Sequence, residues 1–428
     1  MPRLNDTPSN GHNQPGWAKG RIWPRSYLER GPYEMYSPEE LAFQKKFAFG
    51  LSLLNGVTTA APIASLYYRE WGETVAEFDA AAEAAGELGL RVFLSPAFRS
   101  GGMVLDGPGV MTPVFDEKKG LDGLAAAIAF IERQQGRHGG LINGLLAPDR
   151  VETCTLELLR RTMAAASDLD CRVRLHMAQG PAELETMRNL HGATGPQWMA
   201  DHGLLSERLI APHATYATAV DLQLYAYMGV SIAHSPLVSA RMGSTLNSFA
   251  ACRKLGINIG MATDTAPPDM LMNLLMGLVA CRISERKSDA VFSADLFDAA
   301  TLGGAKALGR ADIGRLAPGA KADIAVFGLD DPYMTPTVDP ISTLVLGGSG
   351  KVTQAVFVDG RRSTDLLTAL AQAFPHADPK RRSGDVSLLD LLFYRLNCLG
   401  RHRDPKDRLL RRFRFLRCGV GSVHVRFL

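Results

Sequence analysis

From Ser37 to Asp264 the chain alternates between two hydrophobic rhythms. Short apolar runs rich in β-branched residues predict seven strands: GVTTAAPI (56–63), LRVFLSPAF (90–98), LINGLLAPD (141–149), CRVRLHMA (171–178), RLIAPHAT (208–215), GVSIAHSP (229–236) and GINIGMATD (256–264). Between them lie stretches with apolar residues every three or four positions, among them 72–89, 120–135, 155–169, 219–229 and 246–256, which predict amphipathic helices. Ser37 and Glu40 stand at capping-box spacing and open a helix that runs to about Leu54. Strands separated by helices at this interval are βαβ units, and they build a parallel sheet. Helices over about 269–283 and 294–308 follow. KADIAVFGL (321–329) and KVTQAVFVDG (351–360) then alternate with a period of two and show no helical pattern between them, which predicts a small antiparallel module.

Composition narrows the class. With 428 residues, 46% hydrophobic and 21% charged, the chain has the make-up of a globular protein with ample core. No apolar run reaches 18 residues, so no membrane partner is expected. The polar, Pro- and Asn-containing start, MPRLNDTPSNGHNQPGW, reads as neither a signal nor a transit peptide. The six cysteines are scattered without a CxxC pair, which points to a reducing, cytoplasmic setting. The net charge of +3 conceals an asymmetry. Residues 375–428 carry 13 Lys/Arg against 5 Asp/Glu, leaving the rest of the chain at net −5. The body therefore gives no electrostatic reason to expect nucleic acid. The basic tail reads as an appended segment unrelated to catalysis, with an arm for an anionic surface as the other reading.

Four successive strands finish on ionisable residues: His176 in LHMAQ, His213 in IAPHAT, His234 in IAHSP and Asp264 in MATD. In a parallel barrel the C-terminal strand ends meet on one face, where such folds keep their active sites. Each histidine alone is more often a hydrogen-bonded or surface group than a ligand, and Asp264 before Thr-Ala-Pro-Pro also suits an Asx-turn. Repeated over consecutive strands, imidazoles and a carboxylate suit one divalent metal ion, zinc or iron, which would generate hydroxide at neutral pH.

LHMAQG, LIAPHATYAT, GVSIAHSPLVSARMGS and LGINIGMATDTAPPDMLMNL resemble consecutive motifs of the amidohydrolase superfamily, in the branch of cytosine/guanine deaminases and s-triazine chlorohydrolases. ATLGGAKALGRADIGRLAPGAKADIAVFGLDDP and DPISTLVLGGSGKVTQAVFVDGR resemble that branch's passage from barrel to C-terminal β-sandwich. The resemblance spans roughly 37–362. It implies a TIM-like (β/α)8 barrel that hydrolyses carbon–nitrogen or related bonds of a small cyclic or amide substrate. It also implies metal ligation by His176 and Asp264, with His213 beside the metal as ligand and catalytic partner. His234 matches a histidine that contacts substrate or serves the structure.

The sequence departs from that pattern in three places. The family's first strand carries a His-x-His pair; here His12 is the only histidine before His138, so the barrel is expected to lack its first strand. Either sequence upstream of Met1 supplies that strand, or the site is rebuilt. Gln179 stands where family deaminases place a glutamate three residues after the strand histidine; an amide cannot shuttle protons but can orient a substrate carbonyl or amide. Arg174 shares strand parity with His176, so its charge should enter the barrel and needs a partner, from substrate or elsewhere. The loop APDRVETCT reads first as solvated, with Arg150 and Glu152 as further substrate-binding candidates at the mouth.

Two functions follow: a metal-dependent hydrolase, or a catalytically inactive or truncated subunit that kept the scaffold and binds another chain. The expected organisation is an irregular segment 1–36, a hydrolase barrel 37–310, a partial β-sandwich 311–363 and a basic tail 364–428. The expected partners are a small-molecule substrate and a second copy of the chain.

Overall fold

The computed structural model describes residues 23–24, 37–62, 73–107, 110–264 and 267–363. Within them seven parallel strands form one curled sheet: β1 (Thr59–Ala60), β2 (Arg91–Leu94), β3 (Ile142–Leu146), β4 (Arg172–Arg174), β5 (Leu209–Pro212), β6 (Ser231–His234) and β7 (Ile259–Met261). They pair in strict chain order, each with its sequence neighbours. Order without crossover is what successive βαβ units give, and it makes the sheet roll toward a barrel. Among the described residues neither edge strand, β1 or β7, has a second partner, so the roll stays open between them. This is a TIM-like fold carrying seven of eight strands in the described chain.

The helices form where the hydrophobic spacing places them. α1 (Pro38–Leu54) starts on Ser37, whose hydroxyl accepts from the Glu40 N–H while the Glu40 carboxylate accepts from the Ser37 N–H. α2 (Val75–Leu88) packs against α1, and Lys45 and Glu77 close a buried ion pair between them. α3 (Glu117–Gln134) and α4 (Leu156–Asp168) pack beside β3. Inside the roll, Phe93, Leu145 and Ile210 form one apolar cluster with Ala97, Ala147 and Ala307. Phe93, Leu145 and Ile210 are inward residues of β2, β3 and β5, the alternation a parallel barrel requires.

Opposite the C-terminal strand ends the barrel is closed by charge. Arg91, at the start of β2, donates from Nε and Nη2 to both oxygens of Asp323, each at 2.9 Å, with the two side chains 1% and 3% exposed. Asp323 also accepts from the Asp359 N–H at 2.8 Å, tying the barrel to an antiparallel sheet of β8 (Ile324–Phe327), β9 (Thr353–Val358) and β10 (Arg361–Arg362). Arg310, paired bidentately with Asp312 at 2.7 Å, lies 5.9 Å from the Phe93 ring centroid and finishes the closure.

Two elements correct the sequence reading. A helix, Pro340–Gly347, lies between β8 and β9 where no helical pattern was visible. Asp339 caps it, Pro340 fits its first turn, and Leu344 and Val345 are buried, but eight residues are too few to show a period. An antiparallel hairpin, Gly101–Gly107 with Val110–Phe115, follows β2. Its signal was the turn-forming Asp-Gly-Pro-Gly at 106–109 between apolar runs. The expectations for residues 1–36 and for the basic tail fall outside the described residues, Trp23–Pro24 excepted.

Candidate active site

The side chains singled out from the strand ends gather on one face of the roll. His176 follows β4 by two residues and bridges in parallel to Arg150, while Met177 bridges to His213. The His176 Nδ1–H donates to the Asp149 carbonyl at 2.6 Å, which fixes the tautomer and leaves Nε2 with its lone pair. The His176 and His213 rings stack with centroids 5.9 Å apart and 22° between planes. His213 Nε2 lies 3.5 Å from Asp264 Oδ2. His234, the last residue of β6, is 1% exposed, pairs in register with Met261 and packs its ring against Phe249. Its Nδ1 has no hydrogen-bond partner among the described residues.

The backbone there is strained. Eight described non-glycine residues have positive φ, and four of them belong to these strand ends: Ala178 at 52°, His213 at 69°, Ala214 at 51° and Asp264 at 55°. Such conformations cost about 1–3 kcal/mol each and persist where surrounding contacts over-determine them. Here the contacts are visible. The Glu183 carboxylate accepts from the N–H groups of Ala178 and Gln179, both at 2.6 Å, and the His213 N–H donates to the Ala233 carbonyl at 2.9 Å.

Arg174 enters the barrel as its parity requires, level with Ile210. Its Nη1 donates to the carbonyls of Ala61 at 3.1 Å and Pro62 at 2.7 Å, just beyond edge strand β1. Burial pushes the guanidinium down to about 10, against the pull of Glu73, Asp149 and Asp264, so it stays charged at neutral pH. Reading 147–155 as a solvated loop is corrected. Val151–Thr153 is a short 3-10 turn, and Arg150 and Glu152 are a half-buried ion pair, Nε to Oε1 at 2.6 Å, each side chain 13% exposed. Arg150 Nη1 also donates to Gln179 Oε1 at 2.6 Å. Sequence reasoning missed Glu183, whose only signal was an acidic residue in the first turn of α5 (Pro181–His191).

Burial, reinforced by Arg150, His213 and Arg174, holds His176 well below its ordinary range; the Asp149 carbonyl opposes it. Burial and then His213 push His234 down to about 3. Glu183 moves the other way, raised by burial and by Glu152. Below about pH 6.5 the unfolded chain binds protons at these histidines that the folded chain refuses, so stability falls as pH falls. Above pH 4.5, a glutamate's ordinary value, the folded chain keeps a proton on Glu183 that the unfolded chain releases, so this group's contribution falls as pH rises. Two histidines outweigh one glutamate below pH 6.5, and only the glutamate acts above it. Urea midpoints are therefore expected to peak near pH 6.5, and Glu183→Gln should flatten the alkaline side. An unchanged alkaline decline in that variant would contradict the assignment.

Imidazoles and a carboxylate are ligands of the zinc and iron type, and a carbonyl-bonded Nδ1 is how ligating histidines are usually oriented. The 3.5 Å between His213 Nε2 and Asp264 Oδ2 is a spacing that two ligands of one ion adopt. Donor type and orientation fit. Among the described residues, however, no three His, Cys, Asp or Glu side chains already close on one centre, so the set is an open one.

Comparison with known proteins gives the context. The family model described as Amidohydrolase family matches residues 27–362. The chain belongs to the amidohydrolase family. It is 27% identical over 349 residues to a 5'-deoxyadenosine deaminase of Methanothermobacter thermautotrophicus, covering 81% of this chain and 74% of that one. It is similar at 26% identity, covering 80% and 74%, to a 5-methylthioadenosine/S-adenosylhomocysteine deaminase of Desulforudis audaxviator. In fold it matches a zinc-bound adenosine deaminase from Xanthomonas campestris, with a TM-score of 0.66 at 21% identity over 79% of this chain and 75% of the other. It also matches the atrazine chlorohydrolase TrzN from Arthrobacter aurescens complexed with zinc, at 0.64 and 23% over 85% and 77%. The family is the one its strand-end motifs resemble, and the relatives named above at 26–27% identity are deaminases.

Proposed function

We propose that this amidohydrolase hydrolyses a carbon–nitrogen, non-peptide or related bond of a small cyclic or amide molecule at the face built by His176, His213, His234 and Asp264. The observation that carries the reading is the convergence of His213 Nε2 on Asp264 Oδ2, with His176 stacked alongside. In this reading His176, His213 and Asp264 would hold one divalent metal ion, zinc or iron. When bound, such an ion acidifies water so that hydroxide is available at neutral pH.

The chain's own residues do the rest. His176 keeps its Nε2 lone pair because Nδ1–H is committed to the Asp149 carbonyl. His213 would polarise the reacting group or water, and His234 offers to substrate a buried Nδ1 that has no partner among the described residues. Gln179 orients substrate and carries no proton, since an amide does not titrate. Arg174 holds positive charge at the edge of the mouth and works on substrate charge distribution from there, and the Arg150–Glu152 pair braces the rim.

The test is turnover by the full chain, loaded separately with zinc and iron, on adenine nucleosides, guanine, cytosine and chloro-s-triazines. Ammonia or chloride release is expected for at least one of them, and is expected to vanish on chelation. No turnover on the whole panel after loading would leave the scaffold reading in its place.

A further inference from the structure

Glu183 stands at the third position of α5, after the cap Gly180 and Pro181. A glutamate there ordinarily turns back to the N–H of the cap residue. This one reaches further, past Gly180, and accepts from the N–H groups of Ala178 and Gln179, both at 2.6 Å. Its side chain is walled in: the residue is 3% exposed, and a Cβ added to Gly195 would lie 3.4 Å from Oε1. Burying a carboxyl group is costly, and among the described residues its hydrogen bonds go to these two backbone groups alone. The peptide units it holds face the neighbouring strand end on their other side. The Ala178 carbonyl accepts from the Tyr216 N–H at 2.8 Å and the Gln179 carbonyl from Thr215 Oγ1 at 2.9 Å, while Met177 bridges to His213. His176 immediately precedes the one segment and His213 begins the other, so their junction sets how far apart the two imidazoles lie.

We propose that Glu183 is a positioning residue for the metal site: it clamps residues 177–179 against the turn at 213–216 and so fixes the spacing of His176 and His213 before an ion arrives. It acts on the imidazoles only through the backbone of Ala178 and Gln179. Three left-handed residues, Ala178, His213 and Ala214, lie in the clamped segments, and the clamp keeps them from relaxing. A preset spacing raises affinity, because the ligands are ordered on folding and not at the moment of binding. The role rests on reading His176 and His213 as ligands of one ion, and deepens that reading.

The experiment measures two quantities on the full chain at neutral pH: zinc affinity, by competition with a chelator, and exchange of the Ala178 and Gln179 amide hydrogens. Glu183→Gln keeps the size of the side chain but turns its NH2 toward one of the two N–H groups, so one bond of the clamp is lost. Its zinc dissociation constant is expected to rise by about tenfold or more, the usual loss when a group that orients a ligand is changed, and exchange at Ala178 and Gln179 to quicken. Asp221→Asn is the control. Asp221 is fully buried and accepts from Thr194 Oγ1 at 2.5 Å and from the Thr218 N–H at 2.8 Å, bonds to a neighbouring turn and to its own helix cap. This variant is expected to lose stability while keeping zinc affinity and the exchange rates at 178 and 179. Should Glu183→Gln fail to fold, Thr215→Val, which removes the donor to the Gln179 carbonyl, is expected to weaken zinc several-fold on its own. Unchanged zinc affinity in folded Glu183→Gln or in Thr215→Val, or equal weakening in Asp221→Asn, would overturn the proposal and leave the site reading standing. A parent chain that takes up no zinc would overturn both.

Discussion

Asp264→Ala is expected to abolish both metal retention and hydrolysis. Asp264 sits three residues past β7 in a left-handed conformation, with Oδ2 3.5 Å from His213 Nε2. Among the described residues it is the carboxylate that closes on His213. Losing a group that merely orients a metal ligand already costs about 10–100-fold in affinity or activity, so loss of the ligand itself should exceed about 100-fold. Alanine tolerates positive φ poorly, so Asp264→Asn is the sharper variant: it keeps the shape and the local conformation and removes only the charge. Both variants should fold by circular dichroism and both should lose the ion. Full hydrolysis by either would end the assignment of Asp264.

The second large effect is on stability. Arg91→Ala leaves Asp323 buried and without its bidentate partner, and removes the donor to the Gly140 carbonyl at 3.2 Å. Breaking one side of a buried pair costs about 3–5 kcal/mol, because the remaining charge is stranded in a poorly solvating interior. Here the pair also joins the barrel to the β8–β10 sheet, through Asp323 and the Asp359 N–H. Arg91→Ala is therefore expected to lower the urea midpoint strongly, whereas the double replacement Arg91→Met with Asp323→Leu should recover most of the loss. If the single variant unfolds at the parent midpoint, the pair does not join these parts of the fold.

Much of this was readable in the chain itself. The seven apolar runs became the seven strands because a strand buried on both faces shows a continuous apolar run, and the helices between them supplied the second rhythm. The ends of those runs named His176, His213, His234 and Asp264, since barrel topology alone brings consecutive strand ends together. What the sequence could not show lay in side-chain direction. Arg174 was known to point inward by parity, yet its partners are backbone carbonyls of Ala61 and Pro62, which carry no sequence signal. Arg150 and Glu152 read as a wet loop because charge in a loop usually is solvated, and only the fold reveals that they pair and that Arg150 faces Gln179. Glu183 escaped notice because an acidic residue in the first turn of a helix has an ordinary explanation, the helix dipole.

The central claim is that His176, His213 and Asp264 are the protein's share of a divalent metal site. Elemental analysis of the full chain, purified without chelator and again after loading, tests it most directly. About one zinc or iron per chain is expected, lost in Asp264→Asn. A chain that holds no metal even after loading would contradict it.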